Sequence, residues 1–321
     1  MAAITLLITN EKGRTMYPPV ADGVQLSSSR RGSPAVLKFT VLKDQAMADL
    51  GGFAEGALAQ LFADGKPLFQ GYIFSKRRDK EGAIECTAYD QIRYLKNKDV
   101  LRYKNMLASD VVKLIAADNN LQIGEIEPTG YIIPWRSEFN ATLLDMIETA
   151  LDLELTNKGQ MFVLYDDCGK LTLQNIAQMR LDILINAAAA ENFDYTSSID
   201  EQTYNQIKLV SEDNHKKYEA ADGEHIKLWG KLQYFDTLKE GENGQAKAEA
   251  LLKLYNSKTR KLKINQALGD VRVRAGCLIG VALDLGDIIA NTLMLVEKVT
   301  HTFRESEHLM DLTLRGGEFI A

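Results

Sequence analysis

The feature that most constrains this chain is a change of hydrophobic period between residues 245 and 315. Ala248, Leu251, Leu252 and Tyr255 recur at helical spacing and make one apolar stripe. Glu249 precedes Lys253 by four residues, the favourable order for a surface pair. Asn256 and Ser257 weaken the end of that helix. From Lys261 the period becomes two. Leu262 and Ile264 alternate with Lys261, Lys263 and Asn265, and Val271 and Val273 alternate with Arg272 and Arg274. Leu293, Leu295, Glu297 and Val299 are expected to share one face of a later strand. Leu309, Asp311, Thr313 and Arg315 are expected to share one face of the last. A helix running into several antiparallel strands with Gly- or Asp-containing turns predicts a small barrel or sandwich with the helix packed against it. Nothing in the stretch carries chemistry.

The N-terminal part, residues 1–98, has the same short-strand habit. Ile4, Leu6 and Ile8 alternate with Thr5, Leu7 and Thr9, and Val24, Leu26 and Ser28 follow. Leu37, Phe39 and Val41 share a face within residues 35–41. Residues 58–62 and 68–74 flank Asp64-Gly65, a hairpin signal, and residues 84–89 close the set after a turn at 79–82. Five or more strands at this spacing suggest a barrel, interrupted by a Gly-rich loop or short helix at 44–56. Residues 99–185 mix the two periods. Ser109 is placed to cap a helix that buries Val111, Val112, Leu114 and Ile115 and ends at Asn119-Asn120. A second helix is expected from Asn140, with Leu143, Leu144, Ile147, Ala150 and Leu151 on its apolar face. Residues 161–165 and 171–174 make a hairpin across 166–170. Residues 186–321 return to β: strands at 206–211, 226–229 and 232–235, with a polar loop or exposed hairpin at 212–225. The expected organisation is α+β, mainly β: a first β unit (1–98), an α+β insert (99–185) and a second β unit with a packed helix (186–321).

The formal net charge of −6 argues against a protein that grips phosphates with a basic face, but not against a surface that nucleic acid slides past. Cys86, Cys168 and Cys277 lie far apart without CxxC spacing, which suggests a reducing compartment and no disulfide framework. The first ten residues lack the pattern of a signal peptide. No stretch approaches the roughly 18 apolar residues of a spanning helix.

His301, Glu305 and His308 would offer three ligands on one side of a helix, but their flanks alternate as strands, so the spacing is read as accidental. His215 and His225 bracket a polar loop as surface histidines. Asp166-Asp167 before Cys168-Gly169 lacks the alternating oxygen ligands of a calcium loop and reads as a hairpin tip. No nucleophile elbow, Walker loop or dinucleotide fingerprint is present, and Gly51, Gly52 and Gly56 have the wrong spacing for phosphates. Cys86 and Cys277 carry no signature of a thiol nucleophile. Arg272 with Arg274, and the step Arg30-Arg31, face either a partner or lumen or plain solvent. No catalytic, cofactor-binding or metal-binding residue is assigned, and no cofactor is expected.

A set of segments, in order, carries a resemblance: residues 69–74 (FQGYIF), 88–98 (AYDQIRYLKNK), 204–209 (YNQIKL), 229–233 (WGKLQ), 273–276 (VRAG), 299–303 (VTHTF) and 312–317 (LTLRGG). Together they resemble the baseplate hub proteins of contractile tails of the PBSX-like prophage type, and similar proteins of R-type phage-tail-like bacteriocins. Residues 44–56 and 212–224 stand outside it. The resemblance implies two barrel-like tube domains around the insert and a homotrimer whose six barrels imitate a sixfold ring. It also implies a non-enzymatic role joining a sixfold tail tube to a threefold spike. Implied partners are the tube protein, the spike and other baseplate proteins. DNA or a tape-measure protein would pass through the lumen without specific binding, and no membrane anchor is expected. Synthesis in the bacterial cytoplasm and a final place in the baseplate follow from that reading. The alternative from another class is a tail-tip cell-wall hydrolase or carbohydrate-binding module, marked by two carboxylates converging in a cleft or by a row of exposed aromatics; Trp135 and Trp229 are too far apart in sequence to decide this. A third possibility is the hub of another injection machine.

Overall fold

The computed structural model describes residues 3–43, 52–187, 189, 192–200, 202–211, 215–238, 244–286, 289–305 and 307–316. Residues 44–51 of the expected Gly-rich loop and 212–214 of the expected polar loop lie outside them. In chain order the first strands are β1 (Ile4–Thr9), β2 (Thr15–Met16), β3 (Val24–Ser29), β4 (Val36–Val41), β5 (Leu58–Ala63), β6 (Lys66–Arg78) and β7 (Ile84–Tyr89). A 3-10 turn (Gln91–Lys96) leads to β8 (Lys98–Leu107), α1 (Ala108–Asp118), β9 (Ile123–Ile126), β10 (Ile132–Thr142), α2 (Leu143–Lys158), β11 (Phe162–Asp166) and β12 (Leu171–Asn175). The rest comprises β13 (Arg180–Asn186), β14 (Asn192–Ser198), β15 (Gln206–Ser211), β16 (Lys217–Ala221), α3 (Gly223–Trp229), β17 (Gln233–Leu238), α4 (Gly244–Tyr255), β18 (Thr259–Leu268), β19 (Leu278–Asp284), β20 (Ile289–Phe303) and β21 (His308–Gly316). The fold is mainly β with some helices.

Strands from both ends of the chain form one sheet, ordered β14-β18-β21-β20-β3-β4-β7-β6-β5-β1-β2, with β19 beside β20 and β13 beside β19. Among the described residues no ladder closes it on itself. β20 organises the whole. One edge pairs with β21 from Leu295 to Phe303. Along the other, Ile289–Leu295 pair with β19, and Lys298–Phe303 pair with β3, 269 to 279 positions away in sequence. The register steps between Val296 and Lys298. That bulge changes the parity of the strand. Met294 and Val296 before it, and Val299, His301 and Phe303 after it, are all buried. The expected common face of Leu293, Leu295, Glu297 and Val299 is therefore wrong: one extra residue splits it. On β21 the alternation holds, with Met310, Leu312 and Leu314 inward.

The cores follow this plan. Leu6, Ile8, Leu37, Phe39, Leu61 and Ile73 fill the first β unit, and Phe303 from β20 belongs to the same cluster. The β5–β6 hairpin turns on Asp64 and Gly65, both at positive φ (49° and 75°), as the Asp-Gly signal requires. The second cluster gathers Leu262, Ile264, Ile279, Val281, Val299 and Leu312 with Val163 of β11. Residues 271–272 form a turn and 273–274 are irregular, where a strand was expected. Here Val273 N–H bonds the Asp270 carbonyl (3.1 Å) within the turn, and Gly276 N–H reaches the Val296 carbonyl of β20 (2.8 Å).

In the insert, α1 and α2 pack on the ribbon β8–β10 and on the sheet β11-β12-β9. Ser109 does not cap α1. It is buried inside the first turn, where its amide donates to the Thr129 hydroxyl (3.2 Å) and its Oγ accepts from the Thr129 amide (3.3 Å). α2 starts at Leu143, not Asn140, because β10 continues through a bulge at Asn140 (φ 55°) and Thr142 Oγ1 accepts from Asp145 N–H (3.1 Å). Gly159, at φ 69°, ends it. The buried Glu154 carboxylate accepts from the amides of Gly130 and Tyr131 (3.0 and 2.7 Å) and so ties the start of β10 to α2.

The stripe on α4 exists as read, but it covers a different sheet. Ala248 and Leu251 pack with Ile207, Leu209 and Leu238 of the three-stranded sheet β16-β15-β17, not on the strands that follow. β15 and β16 form the hairpin expected near 212–225. Residues 226–229, expected as a strand, belong to the helix Gly223–Trp229, because the Asp222 carboxylate caps the amides of Glu224 and His225 (2.9 and 3.1 Å).

At the β20 end, His301 Nε2–H donates to the Val273 carbonyl (2.8 Å), so His301 Nδ1 accepts from His308 Nε2–H (3.0 Å). Burial lowers the pKa of His301 to about 4 and also lowers that of His308. The folded state thus holds a neutral imidazole, whereas the unfolded chain takes up the proton near pH 6.5. This contribution is complete above that value and is lost as pH falls towards 4.

Two outcomes are expected. Urea denaturation of Phe303→Ala will show a loss of about 3–5 kcal/mol, and fluorescence and circular dichroism will report both β units weakening together. The stability gap between the native chain and His301→Gln, followed by urea titration at successive pH values, will narrow by on the order of 3 kcal/mol between pH 7 and pH 4.

Candidate functional site

Two clefts lie where the parts of the chain meet. The first, about 320 Å3, is walled by the β3–β4 turn, α2, α4 and β17. The step Arg30-Arg31 sits in it. Arg30 Nε donates to Glu297 Oε2 of β20 (2.8 Å), and Arg315 of β21 stands 3.7 Å from the other Glu297 oxygen. Arg31 grips Asp152 of α2 through two bonds of 2.8 Å and reaches Glu148 at 3.3 Å. Glu148 also accepts from Gly32 N–H (2.6 Å). Adjacent arginines therefore hold two different bodies, one the second β unit and one the insert. Two-bond arginine–carboxylate contacts fix orientation as well as distance. Arg30 and Arg31 thus rivet parts of the chain to one another, Arg30 from a mostly buried position and Arg31 from one that is 40% exposed.

The second cleft, about 280 Å3, lies between β3, the start of the 3-10 turn, the end of β11 and residues 271–275. Asp90, Asp166, Asp167, Arg274 and His301 line it. Carboxylates do converge here, as a hydrolase would require. Both oxygens of Asp90, and one of Asp166, are engaged in building the fold. Asp90 is buried and accepts from Ala35 N–H and Ile92 N–H, both at 3.0 Å, which anchors β4 and caps the 3-10 turn. Burial, and then the nearby Asp166, push its pKa well up. Asp166 Oδ1 accepts from Gly169 N–H (2.7 Å) at the β11–β12 turn, while its Oδ2 is buried without a partner. Burial raises its pKa as well. Arg274 lies over the Tyr165 ring (3.9 Å) and 3.9 Å from Asp167, so it docks the turn onto the insert and does not share a strand face with Arg272, which pairs with Asp270 (2.6 Å). A base for substrate chemistry needs a free oxygen facing the reacting proton. Asp90 has none.

The remaining sequence candidates fall in separate places. His301 and His308 bond one another, while Glu305, in the turn beyond β20, donates its amide to Asp22 (2.7 Å). Among the described residues no group of three His, Cys, Asp or Glu side chains is arranged to hold a metal. His215 has φ 55°, and His225 stacks on Trp229 at 4.0 Å. The 166–170 segment is the hairpin tip it was read to be, with Cys168 and Gly169 both at positive φ (50° and 93°). Burial raises the thiol pKa of Cys86 to about 12 and of Cys168 to about 11, and raises that of Cys277. Gly51 lies outside the described residues. Gly52 and Gly56 hold backbone contacts, Gly52 O to the Asn10 amide (3.1 Å) and Gly56 N–H to Ile73 O (2.7 Å). Trp135 is exposed on β10.

Sequence reasoning missed two surfaces. Tyr72, Phe74, Tyr89 and Tyr94 cluster on the outside of the first β unit, with Arg93 over the Phe74 ring (5.4 Å). Their rings meet at 50–75°, so they offer no flat row on which a sugar chain would stack. The period-two pattern at 69–74 and 88–94 was the available signal. The second is the β3–β20 seam, where Ser27 and Thr300 hydroxyls bond at 2.9 Å; nothing local marks that pairing.

Among known proteins, the chain is 27% identical over 301 residues to the phage-like element PBSX protein XkdQ of Bacillus subtilis, covering 91% of each. Its fold matches that of a tail protein from Neisseria meningitidis, with a TM-score of 0.69 at 14% identity over 99% of this chain and 98% of that one. It also matches the Escherichia coli c3393 protein, with a TM-score of 0.57 at 12% identity over 99% of this chain and 78% of that one. That protein is described as a type VI secretion component structurally similar to the T4 bacteriophage tail proteins gp27 and gp5. No helix among the described residues is long and apolar enough to cross a membrane. Residues 24–315 match the YQBQ-like family model, and the chain belongs to that family.

Proposed function

We propose that the protein is a structural baseplate hub of a contractile tail or phage-tail-like particle. In this reading three copies form a ring that seats the sixfold tail tube above and a threefold spike below. Residues 1–98 and 186–321 act as two barrel-like tube domains, and residues 99–185 as an insert that faces the outer baseplate proteins. One observation carries the reading: the β3–β20 ladder sets two β units side by side in one sheet. Three such subunits would present six β units around an axis, and a closed ring needs only contacts whose rotation closes. The relation to a PBSX protein and the fold shared with tail proteins and a type VI component support it. The arginine rivets suit the role, since an adaptor must hold its parts at fixed angles. The protein does no chemistry in this reading, and DNA or a tape-measure protein passes through the lumen without being gripped.

Cryo-electron microscopy of the native particle tests it directly. Three copies between the first tube ring and the spike, with six β units around the axis, are expected; any other position overturns the reading. Incubation of the purified chain with peptidoglycan is expected to release no soluble fragments, and release would favour a cell-wall hydrolase. Deletion of residues 99–185 is expected to abolish binding to outer baseplate proteins, measured by co-purification, and retained binding would refute the role given to the insert.

A further inference from the structure

The ribbon β8–β10 has two faces of opposite character. Inward, Tyr103 is buried in the insert core and Leu101 packs beside it. Directly opposed residues of an antiparallel pair share a face. The outward face therefore has four rows: Lys98–Thr142, Val100–Phe139, Arg102–Ser137 and Lys104–Trp135. Phe139 is 80% exposed, Trp135 56% and Val100 48%. Lys98, Arg102 and Lys104 are exposed with them. No carboxylate stands in these rows; Asp145 of α2 adjoins one end, where it accepts from the Thr142 hydroxyl (2.6 Å). Asp99 and Glu138 belong to the inner rows, where Asp99 accepts from Val100 N–H (2.7 Å) and Glu138 pairs with Arg136 (2.6 Å). Neither ribbon strand has a second ladder among the described residues. Rows at ~7 Å intervals make a patch of a few hundred Å2, the size at which exposed apolar surface marks an interaction site. Its aromatic and arginine content is that of interface anchors.

The charge on the rest of the insert identifies the occupant. Residues 99–185 hold thirteen Asp and Glu against seven Lys and Arg, so a basic face there is a local exception. An acidic, partly apolar counterpart stands on the same insert. β9 is the edge of its sheet, with Ile123 45% exposed and Glu125 exposed beside it, and Asp118 is exposed at the end of α1. One chain thus carries both halves of a complementary pair on different elements. Such a pair lets one copy bind the next, and a head-to-tail contact of this kind closes a ring where its rotation allows.

We propose that the outer face of the β8–β10 ribbon, centred on Phe139, Trp135 and Arg102, docks onto the Asp118–Ile123–Glu125 edge of a second copy of this chain. The inference rests on the hub reading, and it names where neighbouring inserts touch.

Sedimentation velocity of the full chain over a dilution series tests it. The native chain is expected to self-associate, less so at high salt. Phe139→Ser is expected to weaken association roughly thirtyfold or more with an unchanged melting temperature, because its side chain leaves no core void. Arg102→Glu with Lys104→Glu, and Asp118→Lys with Glu125→Lys, are each expected to abolish association, and all four together to restore it. A native chain that stays monomeric overturns the proposal. So does association indifferent to the ribbon variants, or a fourfold variant that fails to recover. So does a ribbon reversal whose only effect is lost binding of a single-stranded oligonucleotide or of another baseplate protein. Each of these leaves the hub reading standing, since microscopy of the particle decides that separately.

Discussion

The ladder between β3 and β20 is the contact on which the rest of this structure depends. Six residue pairs, Lys298↔Ser29 to Phe303↔Val24, turn two β units into one sheet. Without it β3 would be an edge strand with a row of unpaired amides and carbonyls. The first unit would also lose Phe303 from its core. The bulge at 296–298 makes the arrangement possible, because it lets one strand keep its apolar side inward while its neighbour changes from β19 to β3. The arginine pairs then set the insert against this joined sheet. Arg30 and Arg31 leave the end of β3 in different directions, one to Glu297 on β20 and one to Asp152 on α2. Ion pairs in partly buried sites contribute less net stability than their Coulomb energy suggests, but they define geometry. In a protein whose proposed task is angular, geometry is the relevant quantity.

Much of this was legible in the sequence where the signal is local. The Asp64-Gly65 turn, the alternation of Leu37, Phe39 and Val41, the stripe Leu143–Ile147–Ala150 and the hairpin tip at 166–170 all follow from residue type and period, and the structure has them. The failures share a different cause. Ser109 is a good cap by type, yet Thr129, twenty residues on, claims its hydroxyl. Residues 226–229 alternate as a strand would, but the Asp222 cap makes them a helix. The α4 stripe was visible, but the sheet it covers was not, since stripes do not name their partners. One bulge was enough to misplace Leu293 and Glu297. The seam and the two clefts were beyond reach because they join residues separated by more than a hundred positions, and no period reports that. The order of short segments carried the family resemblance, which the fold and the family match support.

The clefts also show why polar convergence alone does not make an active site. Asp90 and Asp166 meet beside Arg274 in a cavity large enough for a small molecule, and burial perturbs both carboxyls. Perturbed carboxyls are common at catalytic centres, but they arise equally where a carboxylate is committed to backbone amides. The hydrogen-bond partners make the difference. Both Asp90 oxygens hold the fold together, so its altered titration reports structural burial.

The membership of Phe303 in the first core has a consequence for how the chain comes off the ribosome. Residues 1–98 are made early in synthesis, yet one of their core side chains, Phe303, is added more than two hundred positions later. Vectorial synthesis normally lets an N-terminal domain fold first. Here the nascent N-terminal strands must wait, with the unpaired side of β3 open to chaperones, proteases and premature contacts between neighbouring polysomes. Completion of β20 then finishes both halves almost at once. A chain with this topology ties the completion of its first half to the making of its last strands.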